Sequence, residues 1–299
     1  MRIVCTAVIA LALGVLPGSC IAATPQKPVA KPAVKVAPRP VERPIPVYIG
    51  KFQLDRTPEQ GSLSRGQTPA GTKRLVVNGE DVEIAPDGRF VIGFGRDYAA
   101  TVLITAFQDG GKSASERVPV AKRQWKVESL PTLPHHSQPD AEYQARRPGE
   151  IAQINAARRI PVSSEGWRQQ FRWPVKGRIS GFFGSQRVYA GEPGAPHTGV
   201  DVAVPTGTPI ATPADGVVIL AAQAPFTLEG NLLIVNHGMG LSSVFLHLSH
   251  INVKLGDTVK QGQIIGQVGM TGRATGPHMH WSLRWHDERM DPQPLAGAM

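Results

Sequence analysis

After residue 47, hydrophobic and polar positions alternate in short runs broken by glycine-containing pairs. An alternation of this period places every second side chain on one face of a β-strand. Leu75-Val76-Val77 and Val82-Glu83-Ile84 flank Asn78-Gly79, and Phe90-Val91-Ile92 follows Asp87-Gly88; both pairs are favoured in hairpin turns. Another run, Thr101-Val102-Leu103-Ile104-Thr105, ends near Asp109-Gly110-Gly111. Together they predict a small β-sandwich over residues 47–128.

The pattern then changes. Residues 129–165 read as a linker: Pro131, Pro134 and Pro139 interrupt its first part, and Ala141 to Arg159 has a helical look, with Ile151 and Ile154 on one side. Because proline is tolerated only at a helix start or break, the helix is expected to begin near Pro148. From Trp167 onward the strands are short and the glycines frequent, and no helical period exceeds two turns. Residues 166–292 are therefore expected to form an antiparallel β-domain, with 293–299 as a tail. Its central hairpin should pair Asn231–Asn236 with Ser242–Leu248 across the turn His237-Gly238-Met239-Gly240. The fold class expected is mainly β in two domains.

The start of the chain changes the setting. Arg2, the apolar run Ile3 to Leu16, the Pro17-Gly18 break and the small residues near Ala22-Ala23 read as a secretory signal over residues 1–23. Residues 24–46, rich in Pro, Lys, Ala and Val, read as an extended tether. A retained anchor is disfavoured because the apolar run is short for a membrane span. Cys20 as a lipid-carrying cysteine is disfavoured because Pro17 stands where such signals have Leu. An exported protein is expected, in the periplasm, with no transmembrane span in the mature chain. Both cysteines, Cys5 and Cys20, fall in the signal, so the mature domains must rely on apolar cores rather than disulfides.

Lys and Arg number 32 against 23 Asp and Glu, a formal net charge of +9. Such a balance suits an anionic neighbour. Export makes nucleic acid a poor candidate and leaves cell-wall polymers and anionic envelope surfaces. The charges are spread along the whole chain, which equally suits a solubilising surface.

Candidate chemistry gathers around Pro196-His-Thr-Gly-Val-Asp201 and Gly276-Pro-His-Met-His280. In Val200-Asp201-Val202 a strand sends Asp201 away from the valines. The same period sends His278 and His280 out of one face with Met279 on the other. If those strands are neighbours, two imidazoles and a carboxylate converge. That donor set suits a zinc ion with an open position better than calcium or magnesium, and the lack of cysteine ligands argues against a closed structural site. In Val244-Phe245-Leu246-His247-Leu248-Ser249, alternation places His247 with Phe245 and Ser249, away from Val244, Leu246 and Leu248. Taking that apolar face as core, His247 should face the groove. His237, His250 and His286 read as structural histidines. His135 and His136 read as exposed linker residues, with an inhibitory ligand role as the alternative.

The motifs of residues 173–292 resemble those of the lysostaphin-type (LytM-like) zinc metallopeptidases that cut peptidoglycan peptides. The resemblance rests on Gly-Arg-Ile-Ser-Gly-Phe-Phe-Gly at 177–184, His-x-Gly-Val-Asp at 197, Pro-Thr-Gly-Thr-Pro-Ile at 205 and Ala-Asp-Gly-Val-Val at 214. It continues in Asn-His-Gly at 236, Phe-Leu-His-Leu-Ser at 245, Lys-Gln-Gly-Gln-Ile-Ile-Gly at 260 and Thr-Gly-Arg-Ala-Thr-Gly-Pro-His-Met-His at 271. The stretch Pro86–Asp97 is also similar to the all-β domain that precedes the catalytic one in some Gram-negative members. What the resemblance implies is one zinc per catalytic domain, held by His197, Asp201 and His280. His247 and His278 are then the catalytic pair, with their individual roles open. The implied activity is hydrolysis of peptidoglycan cross-links through a metal-activated water. The alternative is a non-catalytic activator of cell-wall amidases on the same fold; such relatives have gaps at the ligand positions, and this chain has none. A serine hydrolase is remote, since no Gly-x-Ser-x-Gly stands on a strand-to-helix turn.

Overall fold

A computed structural model describes residues 50–132 and 141–299. The signal-like segment, the proline-rich tether, and His135 and His136 lie outside the described residues. Six strands come first: β1 (Leu63–Gln67), β2 (Thr72–Val77), β3 (Glu80–Val82), β4 (Arg89–Gly93), β5 (Thr101–Gln108) and β6 (Ser113–Pro119). β1 pairs with β4, and the others form a sheet in the order β3-β2-β5-β6. Period two decides what is buried: Val102, Ile104 and Ala106 of β5 are fully enclosed, while Leu103 and Phe107 between and beyond them are exposed. With Leu75, Phe90, Ile92 and Phe94 they fill one core. Each of these side chains larger than alanine contributes about 1.5–3 kcal/mol relative to leaving it in water.

Asn78 and Gly79 both take positive φ, 49° and 94°, as a two-residue hairpin turn requires, and Leu75 faces Val82 across it. Asp87-Gly88 departs from the expected hairpin. It closes a local turn, Gly88 N–H to the Ala85 carbonyl at 2.8 Å, and β4 takes β1 as its partner rather than the strand before it. β3 stops at Val82, so Ile84 lies beyond the strand.

Where it is described, the linker is more regular than its prolines suggest. Strand β7 (Val127–Leu130) crosses its expected start and helix α1 (Ala141–Arg158) follows. α1 begins at Ala141 and runs through Pro148 instead of starting near it. Side chains on both sides of the proline hold the helix down. Arg147 grips Glu229 with two contacts of 2.6 and 2.8 Å, and Glu150 accepts from the Thr227 N–H at 2.7 Å and from its hydroxyl. Tertiary anchoring of this kind overrides a local propensity of a few kcal/mol.

The remaining elements are β8 (Arg178–Gly181), β9 (Gln186–Tyr189), β10 (Glu192–Pro193), β11 (Val200–Ala203), β12 (Pro209–Ala211), β13 (Gly216–Ala221) and β14 (Asn231–Gly238). They continue with β15 (Leu241–Leu248), β16 (His250–Ile251), β17 (Thr258–Val259), β18 (Ile264–Gln267), β19 (Met279–Trp285), β20 (Glu288–Met290) and the short α2 (Gln293–Ala296). The main sheet runs β17-β13-β14-β15-β19-β11-β8, antiparallel throughout, with β20 added on β19. β7 joins β9 in parallel, with Val127 opposite Gln186. α2 lies in the segment expected to be a tail, where Leu295 is buried.

The two faces of the main sheet differ. One carries Val200, Val202, Leu233, Val235, Phe245, Trp281 and Leu283 into the larger core. The other carries Leu232, Ile234 and Val244 beneath Ile154 and Ala157 of α1. The hairpin β14–β15 turns more tightly than expected. Met239 and Gly240 alone form the turn, at φ 52° and 72°, and His237 and Gly238 stay in β14.

A candidate metal centre

Asp201 sits on β11 between two fully buried valines and points to the opposite face. Antiparallel pairing places it directly across from His280 on β19 and, on its other side, across from Gly181 of β8. His197 precedes β11, and its position comes from its backbone: its N–H donates to the Ser185 carbonyl, and its carbonyl accepts from Gly184, both at 2.8 Å. The three groups meet. His280 Nδ1 is 2.8 Å from Asp201 Oδ1, and His197 Nε2 is 3.2 Å from Asp201 Oδ2 and 3.2 Å from His280 Nδ1.

The outer ring nitrogens define the tautomers. His197 Nδ1–H donates to the Phe182 carbonyl at 3.1 Å. His280 Nε2–H donates to Ser282 Oγ at 2.9 Å, and that hydroxyl donates onward to the Thr198 carbonyl at 2.8 Å. With both N–H groups turned outward, two imidazole lone pairs and a carboxylate face one another, their donor atoms all within 4.8 Å. Such a set is mutually repulsive unless a cation lies among its members, and oriented imidazoles of this kind are what a zinc ion takes. The residues therefore fit a metal. Gly181 is part of the fit: a Cβ there would fall 2.3 Å from Asp201 Oδ2 and 3.0 Å from the His197 ring.

Burial of Asp201 favours its neutral form, yet the imidazoles of His197 and His280 hold its carboxyl well below the usual range. Desolvation pushes the enclosed His280 down to about 4, against the pull of Asp201. The same desolvation acts on His197, but there the Asp201 contact and the Phe182 carbonyl prevail and raise it. A neutral His280 beside an ionised Asp201 is the protonation state that metal binding needs.

His278 and His247 stand beside this cluster. His278, just before β19, donates from Nδ1 to the Gly276 carbonyl at 2.8 Å, and its Nε2 is 3.7 Å from Asp201 Oδ1. His247 donates from Nδ1 to the Thr271 carbonyl at 2.8 Å, and its ring lies 5.0 Å from that of His278 and 6.2 Å from that of His280. Burial lowers its pKa, with the Thr271 carbonyl opposing.

The route by which His247 reaches this place is not the one alternation predicts. Phe245 belongs to the main core, while Leu246 pairs with His280 on the site's own face. Strict alternation would therefore bury His247 beside Phe245. Between the pairs Leu233–Phe245 and Asn231–Leu248, β14 advances two residues and β15 three. The extra residue is a β-bulge, and within it His247 adopts φ 64° with its N–H donated to the Glu229 carbonyl at 2.8 Å. Bulges re-aim side chains in this way beside active sites, and a non-glycine residue in the left-handed region is held there by its surroundings.

His237 lies apart from the cluster, fully buried, with Nδ1 bonded to the Asp215 carbonyl and Nε2 to Ser243 Oγ, each at 2.8 Å. Sequence reasoning passed over Ser282, although its place two residues beyond His280 put it on the same strand face. The carbonyls of Phe182, Thr198 and Thr271 carried no signal, because backbone atoms are common to every residue.

The sequence profile of Peptidase family M23 matches residues 195–292. Over 115 residues the chain is 45% identical to peptidoglycan DD-endopeptidase ShyA of Vibrio cholerae, which spans 38% of this chain and 26% of ShyA. It is 34% identical over 128 residues to ShyB of the same organism, 43% of this chain and 26% of ShyB. The chain thus spans about a quarter of the length of these curated relatives. A crystal structure of a candidate M23 peptidase from Pseudomonas aeruginosa superposes with a TM-score of 0.63 at 31% identity, covering 82% of this chain and 97% of that one. That match takes in nearly the whole of a solved relative, well beyond the ligand motifs, and the chain belongs to peptidase family M23.

Proposed function

We propose that this chain is a zinc-dependent endopeptidase that hydrolyses peptide cross-links of bacterial peptidoglycan. The observation that carries the reading is the convergence of His197, Asp201 and His280 with their lone pairs inward, beside two further histidines that spend one nitrogen each on a backbone carbonyl. A zinc ion held by the three would polarise a scissile carbonyl and acidify a water molecule. His247 and His278 then supply what the ligands cannot: one accepts the proton of the attacking water and returns it to the leaving amine, and the other, when protonated at Nε2, donates to the developing oxyanion. Their Nδ1–H bonds to Thr271 and Gly276 leave each Nε2 as the working nitrogen. The lowered pKa of His247 keeps it neutral at pH 7, which suits a proton acceptor.

The substrate class is supported by ShyA and ShyB, both named as peptidoglycan DD-endopeptidases. A D-alanyl-diaminopimelate cross-link fits that company better than a glycine bridge. Such a substrate, together with the signal-like residues 1–23, argues for action outside the cytoplasm, in the periplasm. Among the described residues no helix is long and apolar enough to cross a membrane. The net charge of +9 would favour a stay near anionic envelope surfaces.

Digestion of purified sacculi by the metal-loaded protein, with and without chelator, tests the proposal. Released muropeptides should show a cut D-alanyl-diaminopimelate bond, and chelator should stop the reaction. Failure to take up zinc, with muropeptides unchanged, would defeat the reading in favour of an amidase activator.

A further inference from the structure

On the face of β19 that carries His280, the strand continues through Ser282 to Arg284, and the sheet there borders a cavity of about 80 Å³. Its polar wall consists of Arg158 from α1, Arg284, Arg289 from β20, Ser282, Thr198 and Glu229, over an apolar floor from β14 and β15. Three guanidinium groups thus surround one small space. The acidic groups nearby are already engaged. Glu229 is held by both Nη atoms of Arg147, and Asp287, fully exposed, takes Nη2 of Arg284 at 2.6 Å. Nε of Arg158 is buried and has no hydrogen-bond partner among the described residues, while its Nη1 makes only a 3.4 Å contact with Asn155.

A buried donor without a partner is costly, and like charges gathered away from water add to that cost. Burial, with Arg284 and Arg289 close by, lowers the Arg158 pKa to about 10, a sign of how tightly the three cations are confined. An apolar ligand would leave Nε of Arg158 without a partner, and a metal cation would be repelled. A water molecule needs about 10–15 Å³ of such volume, so 80 Å³ admits a tetrahedral ion or a few waters but not a stretch of peptide.

We propose that this cavity binds a small free oxyanion of the phosphate class, held by Arg158, Arg284 and Arg289 through charge-assisted hydrogen bonds. Arginine is suited to the task because its planar fork matches two oxygens of one anion. The ion would tie α1 to β19 and β20. It would also sit beside Ser282, the hydroxyl that receives the N–H of His280. The site is distinct from the metal centre and independent of the substrate proposed above.

Thermal unfolding of the metal-loaded full chain, with inorganic phosphate titrated against chloride at constant ionic strength, provides the test. At ten times the dissociation constant, phosphate should raise Tm by about 3–6 °C, and the shift should keep growing with the logarithm of phosphate concentration. The double variant R158Q/R289Q should lose that shift while keeping its zinc. If it fails to fold, Arg289→Gln alone should weaken phosphate about tenfold. In chelated protein the shift should persist, since the metal is not the binding group. An absent shift in the parent protein, an equal shift in the variants, or one that vanishes with chelation would each overturn the proposal.

Discussion

The two ends of the β14–β15 hairpin each bury a histidine, and they use it in opposite ways. At the turn end, His237 sits in a register shift between Asn236 and Gly238, fully enclosed, and gives one nitrogen to a carbonyl and the other to a hydroxyl. At the far end, His247 leaves the ladder through a bulge, ties down Nδ1 alone, and presents the rest of its ring to His278 and His280. Desolvation lowers both pKa values. Burial is therefore common to both and decides nothing; the difference is whether the fold satisfies both nitrogens or only one. A satisfied histidine is a structural group, and one with an available nitrogen beside a cation site is a chemical group.

The largest expected effects separate ligand from catalyst at the far end. His280→Ala removes an inner donor, so zinc should be lost and hydrolysis should fall by about 10³-fold or more. His247→Ala should retain its zinc and lose about 10²–10⁴-fold in kcat, the usual worth of a positioned general base. Metal analysis alongside single-turnover cleavage checks the pair. Equal metal loss in both would show that the five-residue site does not divide as proposed.

How much of this contrast could be read in the residues depends on where regularity holds. Asp201 was legible, because Val200 and Val202 lie in an unbroken strand and alternation turned Asp201 to the site face. His247 was expected in the groove for the wrong reason. Alternation makes the face of Leu246 look like core, whereas the core face is that of Phe245, and a bulge corrects for the difference. Nothing local announces that bulge, since it depends on the backbone carbonyl of Glu229, a residue whose carboxylate α1 holds through Arg147. Pro148 misled in the same manner: its rule concerns backbone bonds, and ion pairs at Arg147 and Glu150 kept the helix running through it. The motif order around the ligands, by contrast, was plain, because glycines such as Gly181 leave room that no other residue could.

A smaller effect sharpens the contrast from outside the ligand set. Ser282→Ala removes the acceptor for His280 Nε2–H, which frees the ring to rotate or to change tautomer. Zinc affinity should weaken about 10–100-fold, the range found for outer hydrogen-bond partners. A competition titration with a chromophoric chelator reads this directly, and Ser282→Thr should restore most of the loss. An unaltered affinity in the alanine variant would mean that packing alone orients His280.

The turn end should show its character in stability rather than catalysis. Burial lowers His237 to about 4, below the ordinary histidine value of 6.5. The unfolded chain then binds the proton more readily than the folded one, so the contribution is complete above pH 6.5 and is lost as pH falls from there toward 4. The slope from this one group approaches about 1.4 kcal/mol per pH unit within that window. Comparison with His237→Gln, both proteins chelated so that His197, Asp201 and His280 titrate alike, isolates it. Denaturant unfolding should show the parent losing stability more steeply than the variant between pH 6.5 and 4. Parallel curves would mean that His237 takes up its proton as readily in the folded protein as in the unfolded one, and the distinction between the two ends would then rest on geometry alone.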